Sequence, residues 1–218
     1  MTKRTRSAPA VSDPPLPLVL ASASPRRADV LRMLGLAFVV VPAEVEERRR
    51  KGEPPREYVE RLSREKVREV VPAHPRALVV GGDTIVVLDR RVLEKPRDRA
   101  GAVEMLSALS GRAHRVYSGL AVAANGEIAS SVAVARVIFR TCSREVIERY
   151  VDTGEPLDKA GAYGIQGYGA ALVERVEGDY YTVVGMSVAA FVGLLPSVGF
   201  EYMPGRLITR RAPGAGVS

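Results

Sequence analysis

Between residues 114 and 140 the chain commits itself to an antiparallel hairpin. His114–Ala123 and Glu127–Arg140 are dense in residues that fit a pleated surface, and Asn125-Gly126 lies between them. Asn-Gly tolerates the two positive φ angles of a type I′ turn, whose twist matches that of the flanking strands. Such a hairpin cannot belong to a wholly parallel sheet, yet the segments around it alternate as in an α/β domain. Leu18–Ala21 and Phe38–Val41 read as short buried strands. Ala77–Val80 and Ile85–Leu88 read as two more, interrupted by Gly81-Gly82-Asp83-Thr84. Helices are expected from Ser24-Pro25 to Gly35, Pro54 to Val71, Asp98 to Leu109, Ser143 to Val151 and Ser187 to Leu195. The glycine-rich run Asp158–Gly169 leads to a strand pair turning about Glu177-Gly178-Asp179. The expected fold class is α/β, with a mixed twisted sheet and flanking helices.

One domain is expected over residues 17–198, with a flexible tail at 1–16 and another at 199–218. A chain of 218 residues can bury a good core. Its net charge of +7 raises the question of a nucleic-acid partner. The location of that charge answers it. Lys3, Arg4, Arg6, Arg206, Arg210 and Arg211 stand in or near the termini against Asp13 alone, so five of the seven excess charges fall there. What remains on the body is too little for an extended basic face, and no aromatic cluster resembles a base-stacking platform. No stable nucleic-acid partner is expected. No apolar run reaches the roughly 18 residues of a membrane span, and Met1–Pro17 lacks the pattern of a secretory signal. Cys142 is the single cysteine, which excludes an internal disulfide and a Cys-rich zinc site. The expected setting is cytoplasmic, away from the membrane.

Four groups of residues could carry chemistry. Ser22-Ala-Ser-Pro-Arg-Arg27 joins a strand to a helix. A helix N-terminus offers unpaired N–H groups, and Ser22, Arg26 and Arg27 add side-chain donors. Arginines oppose the helix dipole there, so an anion at that end would explain them, and solvent-exposed arginines after a Ser-Pro cap are the plain alternative. Asp83, with Thr84 after it, stands between apolar runs, and a carboxylate in that setting needs a cation, a metal or a raised pKa. Lys66 shares a four-residue step with Tyr58, Leu62 and Val70, which puts it in the apolar stripe of its own helix. It either snorkels to the surface or sends its ammonium into a cleft to meet a phosphate. Lys95 is an ordinary loop lysine by itself, and Glu44 and Glu46 are metal ligands or solvated acids. Gln166, the one glutamine, has an amide that suits a pyrimidine edge with an N–H beside a carbonyl. The chain has no P-loop and no Gly-x-Ser-x-Gly elbow, and neither His74 nor His114 is placed for a triad or a zinc site.

Taken in order, Ser22-Ala-Ser-Pro-Arg-Arg27, Glu44-Val-Glu46, Arg61–Lys66, Gly82-Asp-Thr84, Leu93-Glu-Lys-Pro96, Ser110–His114 and Asp158–Gly167 resemble the motifs of the Maf family of nucleotide pyrophosphatases. The resemblance runs from about Leu18 to Leu195. It implies a Maf/ITPase-like fold with two lobes around a central cleft. It also implies cleavage between the α- and β-phosphates of a nucleoside triphosphate substrate, with a divalent metal cation, Mg²⁺ or Mn²⁺. On that pattern Asp83 would activate water and share the metal with Glu44. Ser22, Arg26, Arg27, Lys66 and Lys95 would hold the triphosphate. Arg26, Thr84 and Gln166 match the branch that acts on dTTP and UTP, with 7-methyl-GTP or another modified nucleotide as the alternative substrate and a nucleotide-sensing regulator of cell division as the alternative role. A homodimer is left open. Two positions depart from the family: Gly185-Met-Ser187 replaces Gly-Leu-Pro, and Ala135 stands where a threonine is common.

Overall fold

The computed structural model describes residues 17–210. The expected tail 1–16 and the end of the other, 211–218, lie outside the described residues. Six strands form one path, β2 (Val39–Val40), β1 (Leu18–Leu20), β3 (Leu78–Leu88), β5 (Ala113–Ala124), β6 (Glu127–Phe139) and β7 (Val173–Glu177), and β4 (Arg91–Leu93) pairs with β3 as well. β1 runs parallel to β2 and β3, and every other pairing is antiparallel, which makes the sheet mixed. The β5–β6 hairpin turns at Asn125 (φ 54°) and Gly126 (φ 82°), the two positive angles its sequence invites.

β3 does not break at Gly81-Gly82-Asp83-Thr84. It is one continuous strand of 11 residues, paired with β5 from Val79 to Val87. The glycines serve close approach and not a turn. A Cβ on Gly81 would lie 2.9 Å from Val67 Cγ1, and one on Gly82 would lie 3.0 Å from both Arg27 Nε and the Gly119 carbonyl. Opposite, a Cβ on Gly119 would run into the Val59 carbonyl. Helix α2 (Pro55–Val70) therefore lies almost on the backbone of β3 and β5, burying Tyr58, Val59, Leu62, Val67 and Val70 as their spacing predicts.

The edge of β3 opposite β5 is shared. Its first part, Leu78–Val80, pairs with β1, and its last, Val86–Leu88, pairs with β4. Between them the edge at Gly81–Ile85 carries no strand. Two cores flank that gap. One gathers Leu20, Leu31, Leu78, Leu120, Phe191 and Leu195 under α1 (Pro25–Met33) and α6 (Val188–Leu194). The other gathers Leu106, Leu109, Val116, Phe139, Tyr150 and Tyr163 under α3 (Arg99–Leu109) and α4 (Arg144–Asp152). These are the two lobes, and the cleft lies between them.

Three further expectations change. Phe38–Val41 is not buried: β2 is a two-residue edge strand with Val39 57% exposed. No strand pair turns at Gly178; β7 ends at Glu177 and Asp179 caps α5 (Tyr180–Val184), its carboxylate accepting from Tyr181 N at 3.0 Å and Thr182 Oγ1 at 3.0 Å. The β-branched run misleads there, because the cap outweighs a weak strand preference. Residues 199–209 are also no loose tail. β8 (Phe200–Met203) and β9 (Arg206–Thr209) form a hairpin. Phe200 is buried, and the Tyr202 hydroxyl donates to the Leu34 carbonyl at 3.0 Å. The departure at Ser187 costs nothing locally, since its hydroxyl accepts from Ala190 N at 3.2 Å and caps α6. Ala135 is buried opposite Val116 in the sheet and does not line the cleft.

Candidate active site

The cleft has a volume of about 460 Å³ and is lined by Ser22, Arg26, Arg27, Lys66, Asp83, Thr84, Lys95 and Gln166, the residues singled out from the sequence apart from Glu44 and Glu46. It lies past the C-terminal end of β1, at the unpaired stretch of the β3 edge. That is where open α/β sheets bind ligands.

On one wall is the turn into α1. Ser24 occupies the N-cap position without a side-chain capping bond, and no acid stands in the first turn. The Ser22 hydroxyl accepts instead, from Ser24 N at 3.3 Å and Arg27 Nη1 at 2.8 Å. Arg27 is 8% exposed. It also donates Nε to the Gly185 carbonyl at 3.0 Å and Nη2 to Thr84 Oγ1 at 3.1 Å. Three of its five N–H groups are thus spent on organising the wall, and two remain. Burial lowers the Arg27 guanidinium from its usual value and the Asp83 carboxylate opposes that, so it stays a cation. Arg26 is more open. Its guanidinium reaches across the cleft to Asp158 Oδ2 at 3.7 Å.

On the floor, Lys66 has not snorkelled. It is 5% exposed, and its ammonium donates to Asp83 Oδ1 at 2.9 Å and the Gly82 carbonyl at 3.4 Å and forms an ion pair with Glu47 Oε1 at 2.6 Å. Lys66 thus bridges two carboxylates. Asp83 is itself 8% exposed. Burial alone would raise the Glu47 carboxyl, but the hydrogen bond and charge of Lys66, with Lys95 and Arg27 behind, hold it below the usual carboxylate range.

Glu47, not Glu44, lines the cleft beside Asp83, with Glu94 and Asp158 also in the lining. Glu44 is exposed and outside the lining, and Glu46 faces a separate groove with Arg48 and Arg49. The segment 41–50 has no regular structure, so alternation along it carries no information. The Tyr58 hydroxyl donates to the Glu47 carbonyl at 3.0 Å and pins that residue against α2. Burial, then the charges of Asp83, Glu94 and Glu47, push the Tyr58 phenol up to about 12 and keep it a donor. A signal for Glu47 existed in the sequence: a lysine in an apolar stripe needs acidic partners, and Asp83 is one.

Asp83 and Glu47 fit a divalent cation. Both are hard oxygen donors, and both already reach one cationic atom. Among the described residues no group of three or more His, Cys, Asp or Glu side chains could hold a metal. A cation held here would take two protein carboxylates and fill its shell from water and phosphate oxygens, as Mg²⁺ prefers.

Across the cleft, Lys95 and Gln166 are exposed, and neither side chain bonds to another described residue. Behind Gln166, Tyr163 lines the cleft and its hydroxyl lies 2.7 Å from His114 Nε2. His114 is 3% exposed, and burial lowers it to about 4, so it is neutral.

Residues 17–198 match the family described as Maf-like protein. The chain belongs to the Maf family. It is 49% identical over 190 residues to a dTTP/UTP pyrophosphatase of Symbiobacterium thermophilum, covering 86% of this chain and 97% of that one. A dTTP/UTP pyrophosphatase of Vibrio cholerae is 51% identical over 170 residues, 78% of this chain and 91% of its own. One of Moorella thermoacetica is 49% identical over 186 residues, 84% and 96% respectively. The match to the Maf family stops at residue 198, so the β8–β9 hairpin lies beyond it. No described helix is long and apolar enough to cross a membrane.

Proposed function

We propose that this Maf protein is a nucleoside triphosphate pyrophosphatase that hydrolyses dTTP and UTP to the monophosphate and pyrophosphate, a house-cleaning activity in the cytoplasm. The observation that carries this reading is the Asp83–Lys66–Glu47 array on the floor of a cleft whose walls present Arg26, Arg27 and Lys95. A triphosphate is the ligand whose charge answers those cations, and a carboxylate held at the floor is placed to take a proton from water.

In this reading Arg26 leaves Asp158 for phosphate, and the two unspent N–H groups of Arg27 do the same. The open first-turn amides of α1 and Lys95 complete the triphosphate site. Asp83 accepts the proton of the attacking water, and Lys66 keeps that carboxylate oriented. Asp83 and Glu47 would hold a Mg²⁺ or Mn²⁺ ion, which would supply charge neutralisation at the phosphate oxygens. Gln166 reads the donor–acceptor edge of thymine or uracil with its free amide. The chain works without a stable nucleic-acid partner, and a homodimer is compatible with this scheme.

The test is pyrophosphate release over a panel of canonical and modified nucleotides with Mg²⁺ or Mn²⁺. UTP and dTTP are expected to lead. Faster release from 7-methyl-GTP would overturn the base assignment. Tight triphosphate binding without release in either metal would replace the enzyme with a nucleotide sensor.

A further inference from the structure

Gln166 bonds to no other described side chain, so the aim of its amide is inherited from the backbone that carries it. That backbone belongs to a loop with little regular structure, yet its two ends converge on one pair of side chains. The Tyr150 hydroxyl, at the end of α4, donates to Glu155 Oε1 at 2.8 Å and accepts from Gly164 N at 3.2 Å. Glu155 Oε1 also accepts from Gly169 N at 3.1 Å, and Oε2 accepts from Tyr168 N at 3.0 Å. One hydroxyl and one carboxylate thereby close residues 164–169 into a ring with Gln166 inside it.

The glycines of the loop follow from that closure. A Cβ on Gly169 would run into the Gly164 carbonyl and lie 2.7 Å from the Tyr150 hydroxyl. One on Gly167, where φ is +69°, would lie 2.6 Å from Glu155 Oε2. Ile165, beside Gln166, is buried and fixes the direction from which Gln166 leaves. Tyr150 is 5% exposed, and burial together with Glu155 raises its phenol well above the usual value, so it remains a donor at any working pH.

We propose that Tyr150 and Glu155 are positioning residues for base selection, closing the loop 164–169 so that the Gln166 amide meets the base at a fixed angle. The proposal rests on the pyrophosphatase reading above, and it assigns a task to residues that touch neither the phosphates nor the metal carboxylates.

The test compares wild type, Tyr150→Phe, Glu155→Gln and Gln166→Ala in pyrophosphate release from UTP, dTTP, CTP and ATP, with amide hydrogen exchange read at Gly164, Tyr168 and Gly169. Tyr150→Phe keeps the ring and removes only the bridging hydroxyl. It is expected to cut the preference for UTP over CTP about tenfold, through KM and with little change in kcat, and to speed exchange at Gly164 and Gly169. Glu155→Gln puts an amide N–H₂ against a backbone N–H and should do the same, which covers the case in which Tyr150→Phe folds poorly. An equal loss on every nucleotide, or unchanged selectivity in both variants while Gln166→Ala levels it, overturns the clamp and leaves the pyrophosphatase reading standing. Selectivity that survives Gln166→Ala overturns the proposal through its target. No release by wild type overturns the pyrophosphatase reading instead, and faster exchange in Tyr150→Phe would then still support closure of the loop.

Discussion

The two walls of the cleft hold their functional groups by different means. The wall proposed to face the phosphates hangs on regular elements: β1 leads to Ser22, α1 delivers Arg26 and Arg27, α2 delivers Lys66, and β3 delivers Asp83 and Thr84. Arg27, Lys66 and Asp83 are buried there, and Lys66 pairs with Asp83. The wall proposed to face the base, residues 155–169, consists of short 3₁₀ turns and glycines held by side chain-to-backbone bonds. Charge is a strong, long-ranged signal and needs only a scaffold that keeps it dry. Discriminating one base from another depends on the angle of a neutral amide, so that wall must be shaped residue by residue.

Predictions that break this contrast begin with the largest. Asp83→Asn should lower turnover about 10³-fold while leaving the fold intact, since the amide oxygen of asparagine can still accept from Lys66. Activity near that of wild type, in an assay of pyrophosphate release on a variant with an unchanged melting temperature, would remove Asp83 from proton transfer. Lys66→Met should cost about a hundredfold in turnover and also lower Tm, because it leaves Glu47 and Asp83 without their shared cation. A variant that loses turnover but melts as wild type does would mean that Lys66 acts on the substrate alone.

A third prediction sharpens the assignment of the second carboxylate. Glu47→Gln should raise the Mg²⁺ concentration for half-maximal activity by about tenfold or more, and Glu44→Gln should leave it unchanged. Metal titration of both variants checks it, and the reverse result would restore Glu44.

The last prediction concerns stability and not turnover, at His114, whose ring meets the Tyr163 hydroxyl. Burial lowers His114 to about 4 from its ordinary 6.5. Between those values the unfolded chain binds a proton that the folded chain refuses, so stability falls as pH drops through that window. The loss attributable to His114 should be about 2 kcal/mol between pH 7 and pH 5. Urea unfolding of wild type and His114→Gln at both pH values tests this. An equal pH dependence in the two proteins would mean that His114 does not carry it.

Much of this was legible in the sequence because it depends on neighbours along the chain. The hairpin at Asn125-Gly126, the stripe of α2 with Lys66 in it, and the caps at Asp98, Ser143 and Ser187 are local matters of period and φ. Lys66, Asp83 and Gln166 stood out by residue type and setting, whereas Lys95 was an ordinary loop lysine that only the resemblance to the Maf family assigned. What failed was decided at a distance. Gly81-Gly82 reads as a turn until α2 is seen to press on β3, and Phe38–Val41 reads as buried until β2 is seen to lie at an edge. Phe200–Thr209 reads as a tail until Tyr202 is seen to grip the end of α1.

The exchange of Glu44 for Glu47 has the same origin. By itself the sequence determined that a lysine in an apolar stripe, an apolar-flanked aspartate and an arginine-bearing helix start would exist, since periodicity follows from residue order. Only the tertiary structure decided which acid completes the array. That choice depends on Tyr58 holding the Glu47 backbone and on one ammonium bringing two carboxylates within 2.6 and 2.9 Å.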